Sequence, residues 1–198
     1  MSASVSNTPR NAVRLLLSAA VVLVGLAMVA VTSLALFTDT ASVGANTFST
    51  GTIVINAAPA SAVVTMPAMV PGDQVTSPLT VSNDGSLEHR YAVTSTTTED
   101  VLAAELVMTI KSGVTTCDNA NWAADGTTLY SGRLGSTGID PVIGSVASGA
   151  DAGDRVLAAA ANEVLCVNVT LPLASTSGQG ATTTAVLDFE AEQTANNP

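Results

Sequence analysis

Two cysteines, Cys117 and Cys166, and one histidine, His89, are the whole supply of thiol and imidazole in this chain of 198 residues. Tetrahedral zinc sites and Ser/His/Asp constellations draw on those groups, so any such site must use His89 or work without imidazole. No His-Glu-x-x-His occurs, and a single imidazole cannot build a two-histidine zinc site. Glu88-His89 stands in the turn from Asp84 to Arg90, where exposed polar residues are expected, so His89 reads as a loop side chain rather than a ligand. The nearest approach to a serine-nucleophile elbow, Gly144-Ser145-Val146-Ala147-Ser148-Gly149, has the wrong spacing and no strand-to-helix context. Asp118, Asp125, Asp140, Asp151 and Asp154 lie in loops, where calcium finds oxygen ligands, but their spacing matches no known calcium loop and they read as solvated acids. Sugar-cleaving carboxylate pairs usually come with aromatic platforms, and here Trp122 is the only tryptophan. The expectation is no catalytic residue, no metal and no cofactor.

Charge is distributed unevenly along the chain. Arg10 and Arg14 are two of the six basic residues, whereas all sixteen acidic residues fall between Asp39 and Glu192. A body this negative repels phosphate backbones, which argues against nucleic-acid binding. After the two arginines comes an uncharged run of 23 residues, Leu15 to Phe37. Its length suits a membrane anchor, while Ser33-Leu34-Ala35 places small residues where a signal peptidase cuts, ahead of polar Thr38-Asp39-Thr40. The expectation is a signal peptide over residues 1–35 cleaved between Ala35 and Leu36, with a retained anchor as the alternative. Both leave the N-terminal arginines cytoplasmic and export the rest. No cysteine sits near the junction to carry a lipid, and Thr194 to Pro198 holds no apolar tail or sorting motif. Outside the cytoplasm, Cys117 and Cys166 are expected to form a disulfide.

Residues 36–198 read as one all-β domain. From Glu163 to Pro172, Leu165, Val167, Val169 and Leu171 alternate with Val164, Cys166, Asn168 and Thr170. From Ala185, the residues Leu187, Phe189 and Ala191 alternate with Val186, Asp188, Glu190 and Glu192. A period of two is that of a half-buried strand, and it sets those last three acids on one solvent face. Further strands are expected at Phe48–Ile55, Ala62–Met66, Val75–Asn83, Arg90–Thr97, Leu106–Ser112, Thr127–Ser131 and Arg155–Leu157, with one helical turn at Val101–Leu106. Turn signals separate them at Pro71-Gly72-Asp73, Asn83-Asp84-Gly85 and Asp125-Gly126. Short strands without intervening helices predict a two-sheet antiparallel β-sandwich of jelly-roll type. Gly113–Asn121 and Ser136–Asp154 read as surface excursions, the first pinned by Cys117 to the outside of a sheet.

Three segments resemble the TasA/camelysin family. The first joins Ala35-Leu36-Phe37-Thr38-Asp39-Thr40 to Asn46-Thr47-Phe48-Ser49-Thr50-Gly51-Thr52-Ile53-Val54-Ile55; the second is Val70-Pro71-Gly72-Asp73 with Leu79-Thr80-Val81-Ser82-Asn83 and Gly85-Ser86. The third runs from Leu165-Cys166-Val167-Asn168-Val169-Thr170-Leu171-Pro172 to Phe189-Glu190-Ala191-Glu192-Gln193 and resembles the closing strands of actinobacterial members. The resemblance implies export through a dedicated signal peptidase and a bacterial protein of the cell surface or biofilm matrix. It implies fibres of this one chain, in which the N-terminal strand of each subunit fills a groove in the next. The donor candidate is residues 36–46, with Phe37, Val43, Phe48, Ile53 and Ile55 as apolar anchors from Phe37 to Ile55; the alternative keeps Phe48–Ile55 as an edge strand of its own domain. A strand added to a foreign sheet edge gains main-chain hydrogen bonds and side-chain pockets, and a head-to-tail contact that does not close makes a filament. Two other readings stand beside it: a monomeric adhesion module binding surface or matrix partners through its loops, and a secreted metalloprotease of the camelysin kind.

Overall fold

In the computed structural model the residues described are 14–20, 49–61, 63 and 65–197, and the chain divides into two units, Met1–Phe48 and Ser49–Pro198. Of the first unit, residues 14–20 are helical. No helix among the described residues is long and apolar enough to cross a membrane. Ala35, Leu36, Phe37, Val43 and Phe48 lie outside the described residues.

Alternation of β-branched and polar side chains shapes the second unit, because it lets each strand bury one face and wet the other. Among the described residues nine strands result: β1 Ile55–Ala58, β2 Gln74–Asn83, β3 His89–Thr97, β4 Val107–Ser112, β5 Thr127–Arg133, β6 Asp140–Ile143, β7 Arg155–Leu157, β8 Asn162–Thr170 and β9 Ala185–Gln193. One sheet has the order β1-β2-β8-β4-β5. In the other, β3 pairs with β9 along one edge and with β6 and β7, end to end, along the other. All pairings are antiparallel, giving the expected all-β sandwich. Leu79, Val81, Met108, Ile110, Leu165 and Val167 of the first sheet meet Tyr91 and Val93 of the second, each at most 2% exposed.

Each sheet also carries cover on its outer face. Cys117 and Cys166 are bonded, with Cα atoms 5.5 Å apart, and tie the loop after β4 onto β8. Beneath that loop Lys111 is buried, its ammonium 5.8 Å from the Trp122 ring and donating to the Trp122 carbonyl at 3.2 Å. Trp122 Nε1–H in turn donates to Gln74 Oε1 at 3.2 Å. On the other sheet, Glu192 accepts from Arg90 Nε at 2.7 Å and from the Gly149 N–H at 3.0 Å, which fastens the second long loop. Glu192 therefore leaves the expected row of solvated acids, while Asp188 and Glu190 remain exposed.

Several expectations shift. The first strand begins at Ile55, because residues before it are taken up by the turn after β2. There the Asp84 N–H donates to the Val54 carbonyl at 2.8 Å and the Ser86 N–H to the Thr52 carbonyl at 3.0 Å. Gly85 fits because any Cβ would lie 2.4 Å from that Thr52 oxygen. No strand forms among the described residues of 62–66. The surrounding prolines Pro59, Pro67 and Pro71 have no N–H to give a ladder. Strand β6, with Pro141 in it, went unread. His89 is not a loop side chain: it is the first residue of β3, faces inward and is fully buried.

Candidate functional site: an apolar groove between the sheets

Strand β2 is ten residues long but β1 is only four, so β1 pairs with Thr80 to Asn83 and stops at Ala58. On that side Gln74 to Leu79 have no strand partner. Across the sandwich β9 is also an edge, paired with β3 alone. Two neighbouring edges therefore face each other without a strand between them, and unpaired edges are templates for another chain.

The side chains at this seam behave unlike a finished core. Leu165 and Val167 of β8 are 0% and 1% exposed, whereas Ala185, Leu187, Phe189 and Ala191 on the inward face of β9 are only half-buried. Between β2 and β9 lies a cavity of about 1200 Å³, with Leu79, Met108, Val167, Val169, Leu187 and Phe189 on its walls. Packed interiors hold few voids larger than a water molecule, so apolar walls around this much space make the seam the candidate binding groove. Segments Pro59–Val70 and Ser175–Thr184 border it.

Among the described residues no charged side chain lines the groove. Tyr91 sends its hydroxyl 2.7 Å to Glu163, which also pairs with Arg155 at 2.5 Å, bridging the two sheets. Burial and that neighbouring carboxylate push the Tyr91 phenol far above its usual range. Asn83 donates to the Leu87, Leu157 and Ala158 carbonyls and accepts from the Gly85 N–H, so this buried amide is satisfied. Both nitrogens of His89 are buried without a partner, and desolvation lowers its pKa. The loop acids serve their own loops: Asp118 accepts from Asn121, Asp125 from Thr115 and Asp154 from the Ser145 N–H, whereas Asp140, expected in a loop, opens β6 and accepts from Arg133 at the end of β5. The side chain and N–H of Asn121 hold the Asp118 carboxyl below its usual pKa.

Of the anchors expected on the N-terminal arm, two are described. Ile53 is 37% exposed, and Ile55 is committed to β1, paired with Asn83 of its own domain. The donor candidate thus narrows to residues before Thr52, where the chain is fastened to the turn after β2. That fastening lies beyond the Asn83 end of β2, while the groove opens toward the Gln74 end. The groove itself was not read from the sequence; its signal is the proline cluster from Pro59 to Pro71, which stops β1 short of β2.

A family model described as camelysin metallo-endopeptidase matches residues 13–108. Over those residues, just under half of its length, the chain is similar to the camelysin family. The match extends through β1, β2 and β3 into the start of β4, and so includes the incomplete edge. Comparison with curated proteins returned no match.

The camelysin description implies a catalytic metal, and the donor set does not fit one. The single histidine lies sealed in the core, 0% exposed, and both cysteines are spent in the disulfide. Among the described residues no three of His, Cys, Asp or Glu come together as a ligand group. A peptidase zinc site needs three protein ligands and an open position reachable by substrate, and a buried imidazole on β3 offers neither.

Proposed function

We propose that this camelysin-like chain is an exported structural subunit of the extracellular matrix, without catalytic activity, which polymerises into fibres by strand donation. The leader over residues 1–35 is removed between Ala35 and Leu36, and residues 36–46 then lie as a strand along Gln74–Leu79 of the next copy. Main-chain bonds complete the β2 edge, and Phe37 and Val43 enter the apolar groove. The observation that carries this reading is the position of the open groove, at the opposite end of β2 from the point where the chain enters the sandwich. Ten residues of strand separate those ends by roughly 30 Å, so arm and groove are different patches of the subunit, as a heterologous contact requires. A heterologous contact of this kind propagates. Cleavage acts as the switch, since an arm still held in a membrane cannot thread into a neighbour.

The adhesion reading has less behind it, because Trp122 is bonded to Gln74 of its own sheet and the loop acids are engaged locally. The test is negative-stain imaging of residues 36–198 and 47–198. Fibres from the longer form alone support donation; monomers from both overturn it.

A further inference from the structure

We propose that the described residues between Pro59 and Val70 form a lid over the groove, held by Val63 and Met69, which the incoming strand of a second copy displaces; this rests on strand donation as read above. The register defines the conflict. β1 runs antiparallel to β2 with Ala58 opposite Thr80, so the residues that follow would, if they continued as a strand, occupy the same Leu79-to-Gln74 edge that a donor needs. They do not continue. Pro59 has no N–H to donate, and Pro78 on the facing strand has none either. Among the described residues, Pro59 to Met69 make no main-chain hydrogen bond to either sheet.

What holds the segment is apolar contact. Val63 and Met69 are half-buried against the core, while Met66 and Val70 stay exposed. Its two ends are fixed: β1 anchors the first, and at the second the Val70 N–H donates to the Asp73 carboxylate at 2.8 Å while the Asp73 N–H returns to the Val70 carbonyl at 2.9 Å. Between them Ala68 sits at φ 55°, in the left-handed region that a residue with a Cβ adopts only under strain. The cavity of about 1200 Å³ persists beneath, so the segment covers the groove without filling it. A donated strand supplies both things the segment lacks, a ladder of main-chain bonds and side chains that occupy the space. Until one arrives, two side chains shield an edge that would otherwise pair indiscriminately.

The test uses the full chain exported from a bacterial host, as free subunits and as fibres, with methionine oxidation by peroxide read by mass spectrometry. In free subunits Met69 is expected to oxidise more slowly than Met66, and in fibres at the same rate, with the buried Met108 protected in both. Met69 remaining protected in fibres overturns the lid. As a second measurement, Val63→Ser with Met69→Ser should shorten the lag before fibres form by about tenfold, the factor that losing two half-buried apolar side chains gives at minimum; an unchanged lag counts against the lid. Should that variant fail to fold, the methionine comparison on the natural chain decides. Fibres that survive Phe37→Asp with Val43→Asp defeat donation and the lid together, whereas fibres that need those residues but keep Met69 protected defeat the lid alone.

Discussion

His89 is buried with both ring nitrogens unpaired, and its consequence is a pH dependence of stability. Desolvation lowers its pKa in the folded chain, whereas the unfolded chain binds a proton near the ordinary imidazole value of about 6.5. Unfolding therefore takes up a proton as the pH falls below that value, so stability is full above it and declines as the pH drops toward the lowered folded pKa. Melting curves between pH 7.5 and 5.5, on the order of the range where imidazole titrates, should show Tm falling with acid, and His89→Leu should flatten that slope. The cysteine pair gives a second prediction at this scale. Its separation of 49 residues makes closing the loop worth roughly 4 kcal/mol in the chain-entropy model. Reduction, or Cys117→Ser, is expected to remove about that much from the unfolding free energy and to expose the Trp122 loop to protease.

Strands and loops decide whether the groove can take a guest. Leu187 lies on the inward face of an edge strand, half-buried beside the cavity. Leu187→Lys can turn its ammonium toward the open seam, so the domain should still fold while a charge in the apolar groove abolishes polymerisation; circular dichroism and imaging on one sample check both halves. The strands themselves were largely legible in the sequence: alternation placed β2, β3, β4, β5, β8 and β9 within a few residues, and Arg155–Leu157 matched its strand. Beyond the alternating runs the reading failed for identifiable reasons. β6 is four residues with a proline, too short to show a period. Residues before Ile55 read as a strand by composition, yet their main-chain groups go to the turn at Asp84–Leu87. His89 was misplaced because a polar neighbour, Glu88, looks the same in sequence whether β3 begins before or after the histidine. The groove could not be read at all, since it exists only where two edges distant in sequence come to face each other.

Taken whole, the chain is strongly acidic, with a net charge of −10 and a pI near 4.1. Subunits of like charge repel as they approach, and salt screens that repulsion over a Debye length of about 10 Å at 0.1 M. Fibre growth is therefore expected to speed up as ionic strength rises from about 0.01 to 0.15 M, a trend opposite to that of an assembly held by ion pairs; light scattering at fixed protein concentration measures it. In the proposed head-to-tail assembly the chain enters at the Asn83 end of β2 and the groove opens toward the Gln74 end, so every subunit added would present a fresh groove. The most direct measurement of that assembly separates donor from acceptor. A peptide of residues 36–48 is titrated by calorimetry into chains that begin at Thr47, with and without Leu187→Lys. Saturable one-to-one binding, lost in the substituted chain, is the predicted result; no binding at peptide concentrations up to about 1 mM would contradict strand donation.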